Sequence, residues 1–251
     1  MEVVARLRAA GCVFAEEEAR LLGDAAGSAR ELDELVGRRV GGQPLEYVLG
    51  WAEFCGLRIA VAPGVFVPRR RTESLVRTAA ARAPDRPVVV DLCCGTGALG
   101  VAFAALVAGA ELWCADVDPD AVACARRNVA PDRVYQGDLY EALPRALQGR
   151  VDVLLANVPY VPSDELELLP REARLHEHVV ALDGGADGLA LLRRVMSDAL
   201  VWLAPGGSVY CETSQAQAPS AVEVIRAGGL EAAVASDDET GATVVIATSA
   251  G

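Results

Sequence analysis

The 251-residue sequence contains no lysine, so all 23 of its basic residues are arginine. That absence removes whole mechanisms. A Walker-type phosphate loop needs its lysine, and Schiff-base or pyridoxal chemistry needs a lysine amine. Asparagine is almost as scarce, with Asn128 and Asn157 the only two. No apolar run reaches the ~18 residues that a membrane helix requires. The opening "MEVVARLRAAG" lacks the charged-then-apolar shape of a secretory signal. A soluble, cytoplasmic chain with no membrane partner is the expectation. Positive charge is also short, with a formal net charge of −12. Phosphate contacts supply most of a nucleic-acid binder's affinity, so this balance argues against a direct nucleic-acid partner. The seven cysteines are odd in number and form no C-x-x-C pair. Buried, reduced thiols are the expected reading.

What is present is a hydrophobic content of 52%, enough for a sizeable core. Residues 1–45 alternate short helical patterns with glycine breaks and read as a small helical domain. Ser28 with Glu31 three residues later fits a capping box. Residues 46–66 read as a β-hairpin linker, and 67–251 as the main domain. From Val88 the strand candidates are "VVVDL", "ELWCAD", "RVYQGD", "VDVLLAN", "GSVYCET", "EAAVAS" and "TVVIATS". Helical stretches are expected between the first five. The fold class is therefore α/β, with a seven-stranded, mostly parallel, Rossmann-like sheet. "DDETGA" is short enough only for a hairpin, so the last strand should be antiparallel. In such a sheet ligands bind at the carboxyl ends of the strands.

Those ends carry the chemistry. "DLCCGTGALG" (Asp91 to Gly100) satisfies G-x-G-x-x-G, a generic turn that brings backbone close to a ligand at a helix N-terminus. Asp116, ending "CAD", is placed to accept hydrogen bonds from both hydroxyls of a ribose. Asp138 can accept from an adenine amino group, and Leu139 can pack on the adenine face. Asp118 and Asp120 are read as serving a helix N-terminus. To this point the pocket fits NAD and S-adenosylmethionine equally. The fourth strand separates them, because it ends in Asn157-Val158-Pro159-Tyr160. An amide nitrogen is a poor nucleophile, its lone pair being delocalised into the carbonyl. Two acceptors on its two N–H groups would orient it, and the Asn157 oxygen and a neighbouring backbone carbonyl can supply them. Pro159 stiffens the turn, and Tyr160 can stack on the amide plane.

With these residues in order, the sequence resembles the HemK/PrmC protein-(glutamine-N5) methyltransferases of the class I S-adenosylmethionine-dependent enzymes. The resemblance extends from about Arg38 onward through "DLCCGTGAL", "ADVDPDAVACARRN", "GDLYEAL", "ALDGGADGLALLRRV" and "LAPGG". It implies that 67–251 is the catalytic domain and that S-adenosyl-L-methionine is converted to S-adenosyl-L-homocysteine. It implies a cofactor site of Phe66, Cys93, Cys94, Gly95, Thr96, Gly97, Asp116, Asp138, Leu139 and Asn157. Pro68 would help Phe66 to roof the site. Asn157, Val158, Pro159 and Tyr160 would hold the target glutamine. The implied partner is a protein, with the Gly-Gly-Gln motif of a class 1 peptide-chain release factor as the family's substrate. Four departures stand out. Val158 replaces the first proline of Asn-Pro-Pro-Tyr, and Arg69 to Glu73 read Arg-Arg-Arg-Thr-Glu in place of Arg-Pro-Asp/Glu-Thr-Glu. The helical domain is short, and "DDETGATVV" lacks a Gly-Arg. Alternatives kept open are an amino-methyltransferase acting on a nucleic-acid base, an NAD-dependent oxidoreductase, and a catalytically silent scaffold. "HEH" (His176 to His178) is read as an exposed pair in a loop without a metal, and the "GGQ" at Gly41 to Gln43 as coincidence.

Overall fold

The computed structural model describes residues 2–251. Four helices open it: α1 (Glu2–Ala9), α2 (Ala15–Ala25), α3 (Ala29–Val40) and α4 (Leu45–Leu49). They bury Leu7, Ala15, Leu22, Val36 and Val48 in a small core of their own. The Ser28 hydroxyl accepts from the Glu31 N–H at the start of α3, as a capping box requires. The Glu31 carboxylate, however, returns to the Gly27 N–H, one residue before the cap. Residues 46–49, expected within the hairpin, belong instead to the one-turn α4, which begins at Leu45. Pro44 starts it and Gly50, at φ 79°, ends it in the left-handed conformation that glycine adopts without strain. The hairpin proper is confined to β1 (Trp51–Phe54) and β2 (Leu57–Ala60), paired antiparallel.

The main domain holds α5 (Glu73–Ala80), β3 (Val88–Leu92), α6 (Ala98–Leu106), β4 (Glu111–Asp116), α7 (Pro119–Ala125), β5 (Val134–Gln136) and β6 (Val151–Ala156). After these come α8 (Arg171–His176), α9 (Ala190–Trp202), β7 (Leu203–Thr213), α10 (Ala218–Ala227), β8 (Glu231–Asp237) and β9 (Ala242–Thr248). The seven strands are ordered β5-β4-β3-β6-β7-β9-β8. Only β9 runs antiparallel, to both β7 and β8. β3 and β6, at the centre, are almost wholly buried because helices cover both faces. One face packs Val90, Leu154 and Val209 against α9 and α10, and the other packs Val89, Val153 and Tyr210 against α5 and α6.

Two sequence expectations are corrected here. No α-helix joins β5 to β6; two 3-10 turns, Leu139–Ala142 and Arg145–Leu147, do so. Leu139, at φ 48°, and Pro144 bound the first, and Gly149, at φ 69°, follows the second, so neither extends into a regular helix. β7 begins at Leu203 and takes in "LAPGG", with a register shift against β6 between Val151 and Val153.

The chain builds β3, β4 and β5 outward on one side, then returns to place β6 on the other side of β3. That reversal opens a crevice between the carboxyl ends of β3 and β6. The hairpin is fastened beside it by Asn128. Its Oδ1 accepts from the Ala60 N–H at 2.8 Å, and its Nδ2 donates to the Ala60 and Thr96 carbonyls, each at 2.9 Å. One side chain thus ties the linker to the glycine loop.

Candidate active site

A cavity of about 970 Å³ fills the crevice. This is the upper end of the ~300–1,000 Å³ range of small-molecule sites, with room for two reactants. Its floor is the glycine loop. Cys93, at φ 54°, and Gly95, also at φ 54°, turn the chain sharply after β3. A Cβ on Gly95 would meet nothing within 4 Å, so this loop presents bare backbone to open space. Gly97 behaves differently. It does not line the cavity, and a Cβ there would press to 3.1 Å of Val129. It starts α6 from a left-handed conformation and packs against Val129. Gly100 is likewise a packing glycine, with Leu112 2.6 Å from where its Cβ would be.

Asp116 holds the loop in place. One carboxylate oxygen accepts from the Gly95 N–H at 2.8 Å and the other from the Asp118 N–H at 2.9 Å. An ionised carboxylate has about four lone-pair sites, so two acceptor positions remain for hydroxyls. Burial pushes its carboxyl above the usual value, against the backbone donors. Asp138 lines the same cavity with its carboxylate engaged by Arg194 at 2.7 Å. Asp91, one layer below, accepts from the Gly100 N–H, and burial pushes it up to about 8.

At the end of β6, Asn157, Val158, Pro159 and Tyr160 all line the cavity. The Val158 side chain packs into the main core. The Asn157 Oδ1 is buried and accepts no hydrogen bond from the chain. Leaving such an atom unpaired costs about 1–3 kcal/mol, a cost removed when a bound molecule brings a donor. Rotation about χ2 exchanges the two ends of this amide, so either end can be offered to that molecule.

"ALDGGADGL", a motif without a role in the sequence, is the mould of this turn. The Val161 N–H donates to the Leu182 carbonyl and the Gly184 N–H to the Val161 carbonyl. A Cβ on Gly184 would lie 2.8 Å from the Pro159 carbonyl, and one on Gly188 only 2.2 Å from the Tyr160 carbonyl. Only glycine lets the two backbones meet this closely.

Residues 161–183 form one wall of the cavity, with Leu169, Ala173, Val179 and Val180 facing it. Sequence reasoning missed this wall. Val179 and Val180, at its rim, are exposed, as are Leu168 and Leu175 outside it. Glu177 is buried; it accepts from the Val67 N–H and pairs with Arg69 at 2.5 Å. The "HEH" expectation is corrected too. His176 ends α8 and meets the Tyr47 ring edge-on. His178 Nδ1 lies 2.6 Å from Asp118 Oδ2, which raises the His178 pKa. Burial draws Asp118 upward, but hydrogen bonds from His178 and the Asp120 N–H outweigh it and hold it low. Phe66 and Pro68 line the cavity as expected, and Arg69 stacks on Phe66. The seven cysteines are all free, and four of them are buried.

Comparison with known proteins now adds to this geometry. Residues 56–176 match the Methyltransferase small domain. A release factor glutamine methyltransferase from Geobacter sulfurreducens is 36% identical over 84% of this chain and 75% of its own length. The chain belongs to this methyltransferase family. The family reaches beyond release factors: a 4-amino-L-phenylalanine/4-methylamino-L-phenylalanine methyltransferase from Streptomyces pristinaespiralis is 37% identical over 77% of this chain and 69% of its own length. Among solved structures, a methyltransferase from Pyrococcus furiosus shares the fold, with a TM-score of 0.60 at 16% identity over 78% of this chain and 90% of its own. Across three relatives named release factor glutamine methyltransferase, the chain spans between 65% and 75% of their length.

Membership makes S-adenosylmethionine the methyl donor. The residues present fit it: an open glycine cradle, a paired acid with spare acceptor sites at the end of β4, and an unpartnered amide oxygen at the end of β6.

Proposed function

We propose that the chain methylates the side-chain amide nitrogen of a glutamine in a protein, the Gly-Gly-Gln glutamine of a class 1 release factor. The observation that carries this reading is the buried, unpartnered Asn157 Oδ1 in a turn whose backbone is held by glycines 184 and 188. We assign the donor to the half of the cavity lined by Cys93, Cys94, Gly95, Thr96, Asp116, Asp138 and Leu139, and the acceptor to the half lined by Asn157–Tyr160. S-adenosylmethionine supplies, when bound, an electrophilic methyl group on a positive sulfur.

The work left to the protein is orientation. Asn157 and the Val158 carbonyl accept the two N–H bonds of the incoming amide, which fixes its plane. Pro159 restricts the turn that presents them. Tyr160 covers the amide face and excludes water. Alignment of this kind supplies up to about 7–11 kcal/mol of a barrier. No base is required before transfer, since an alkylated amide nitrogen is acidic enough to release its proton to water. The exposed Leu168, Leu175, Val179 and Val180 offer apolar contact to the protein that carries the glutamine.

A second reading has its own observation, the arylamine-methylating relative. An aniline nitrogen is planar and would fit the same two acceptors. The test offers a class 1 release factor and free 4-aminophenylalanine to the protein with labelled S-adenosylmethionine. Label on the Gly-Gly-Gln glutamine alone supports the reading. Label on the amino acid alone replaces it.

A further inference from the structure

Arg71, one of the departures in the "PRRRTE" run, is exposed on the 3-10 turn Arg70–Thr72, but its side chain reaches a buried acid. Its Nε lies 2.8 Å from Oε1 of Glu212, on β7, and the Glu212 side chain is only 3% exposed. The same Oε1 accepts from the Tyr160 hydroxyl at 2.8 Å. Arg71 also donates to that hydroxyl and places its guanidinium 5.7 Å from the centroid of the Tyr160 ring. At the backbone end, Gln217 Nε2 donates to the Tyr160 carbonyl at 2.9 Å and to the Asp187 carbonyl at 3.0 Å. Tyr160 is therefore held at its backbone and twice at its hydroxyl.

The contacts at the hydroxyl restrain the ring. A phenol O–H prefers the plane of its ring, so the bond to Glu212 favours one ring orientation as well as one axis. The Arg71 guanidinium sits at the hydroxyl end of the ring and braces the same hydroxyl. The plane of the ring decides whether it can cover an amide. Arg71 is also the cation that makes the buried Glu212 carboxylate tolerable.

We infer that Arg71 and Glu212 are positioning residues for the acceptor, which together hold the Tyr160 hydroxyl and, through it, the axis and plane of the ring. The inference rests on the reading of Tyr160 as the acceptor wall. It also explains how a turn with one proline, Pro159, stays ordered although position 158 is valine.

The decisive variant is Arg71→Lys. Lysine keeps the positive charge for Glu212 but loses the planar fork that reaches both Glu212 and the Tyr160 hydroxyl. Four quantities are measured on the full chain: S-adenosylhomocysteine affinity, the thermal midpoint, steady-state methyl transfer, and the Tyr160 ring signals in tyrosine-labelled protein, assigned with Tyr160→Phe. The expected result is an unchanged cofactor affinity and thermal midpoint, a kcat lower by about 10-fold or more, and an acceptor KM close to wild type. The ring signals should change from a slowly flipping pattern to an averaged one. Glu212→Gln, which keeps an acceptor for the hydroxyl, should lose less. Unchanged ring motion, or unchanged kcat with altered ring motion, overturns the inference. If the wild type methylates neither acceptor, the functional reading falls, and the ring signals still decide whether the clamp exists.

Discussion

Asp116 shows how much one side chain carries. It ties Gly95 and Asp118 together and keeps acceptor sites for a ribose. Asp116→Ala should lower S-adenosylhomocysteine affinity at least about tenfold, since each charge-assisted bond contributes about 1.5–3 kcal/mol; calorimetry reads this directly. Burial raises its pKa above 3.8. Affinity should therefore fall on acidification at a higher pH than an ordinary aspartate would cause, because the protonated group accepts poorly. At this scale the sequence was readable wherever a residue sits at a strand end. Asp116, Leu139 and Asn157 occupy the expected cavity. Gly97 does not, since a glycine needed for packing and one needed for a ligand look the same in a string. Arg71 and Glu212 are 141 positions apart, and no local pattern links a basic run to an acid on a distant strand.

At the scale of elements, periodicity located the seven strands and the antiparallel final one. It failed where backbone conformation decides. The hairpin turn at Cys55-Gly56 has φ values of 51° and 73°. A two-residue turn with both residues left-handed favours Asn-Gly, and a cysteine there is strained. Cys55→Asn should stabilise the protein by about 0.5–1 kcal/mol, read as a higher urea midpoint; a lower midpoint would show that the thiol's packing matters more. The same blindness hid the 3-10 turns after β5 and the short α4. The wall at 161–183 was illegible for another reason. Its residues have no periodic pattern and are ordered by the glycine mould and by Glu177, His178 and Tyr47.

Across the whole molecule, the helical unit and the cavity wall are joined. Arg39, its side chain only 11% exposed, pairs with Glu18 at 2.7 Å and with Glu172 at 2.6 Å. Tyr47 donates to the Val65 carbonyl at 2.6 Å and also bonds the His176 carbonyl. Arg39→Met leaves Glu18 buried without a cation and should cost about 3 kcal/mol in chemical denaturation, with the wall segment exchanging its amides faster. The wall is also tied by the His178–Asp118 pair. The folded-state pKa of His178 is raised above 6.5, so the pair's contribution is complete below 6.5 and is lost as pH rises through the raised value. Asp118 is lowered below 3.8, so its contribution persists above 3.8 and is lost as pH falls through the lowered value. Amide exchange in residues 171–183 should quicken as pH moves above 6.5, beyond the intrinsic pH effect, and His178→Gln should remove that extra dependence. No helix among the described residues is long and apolar enough to cross a membrane.

The central claim is that one cavity brings a methyl donor to an amide that Asn157 orients. The most direct test is single-turnover methyl transfer to a class 1 release factor, comparing wild type with Asn157→Ala, beside the S-adenosylhomocysteine affinity of each. The account predicts one added methyl on the Gly-Gly-Gln glutamine, a rate lower by about 10²–10³ in the variant, and an affinity nearly unchanged. A variant that transfers at the wild-type rate would contradict it.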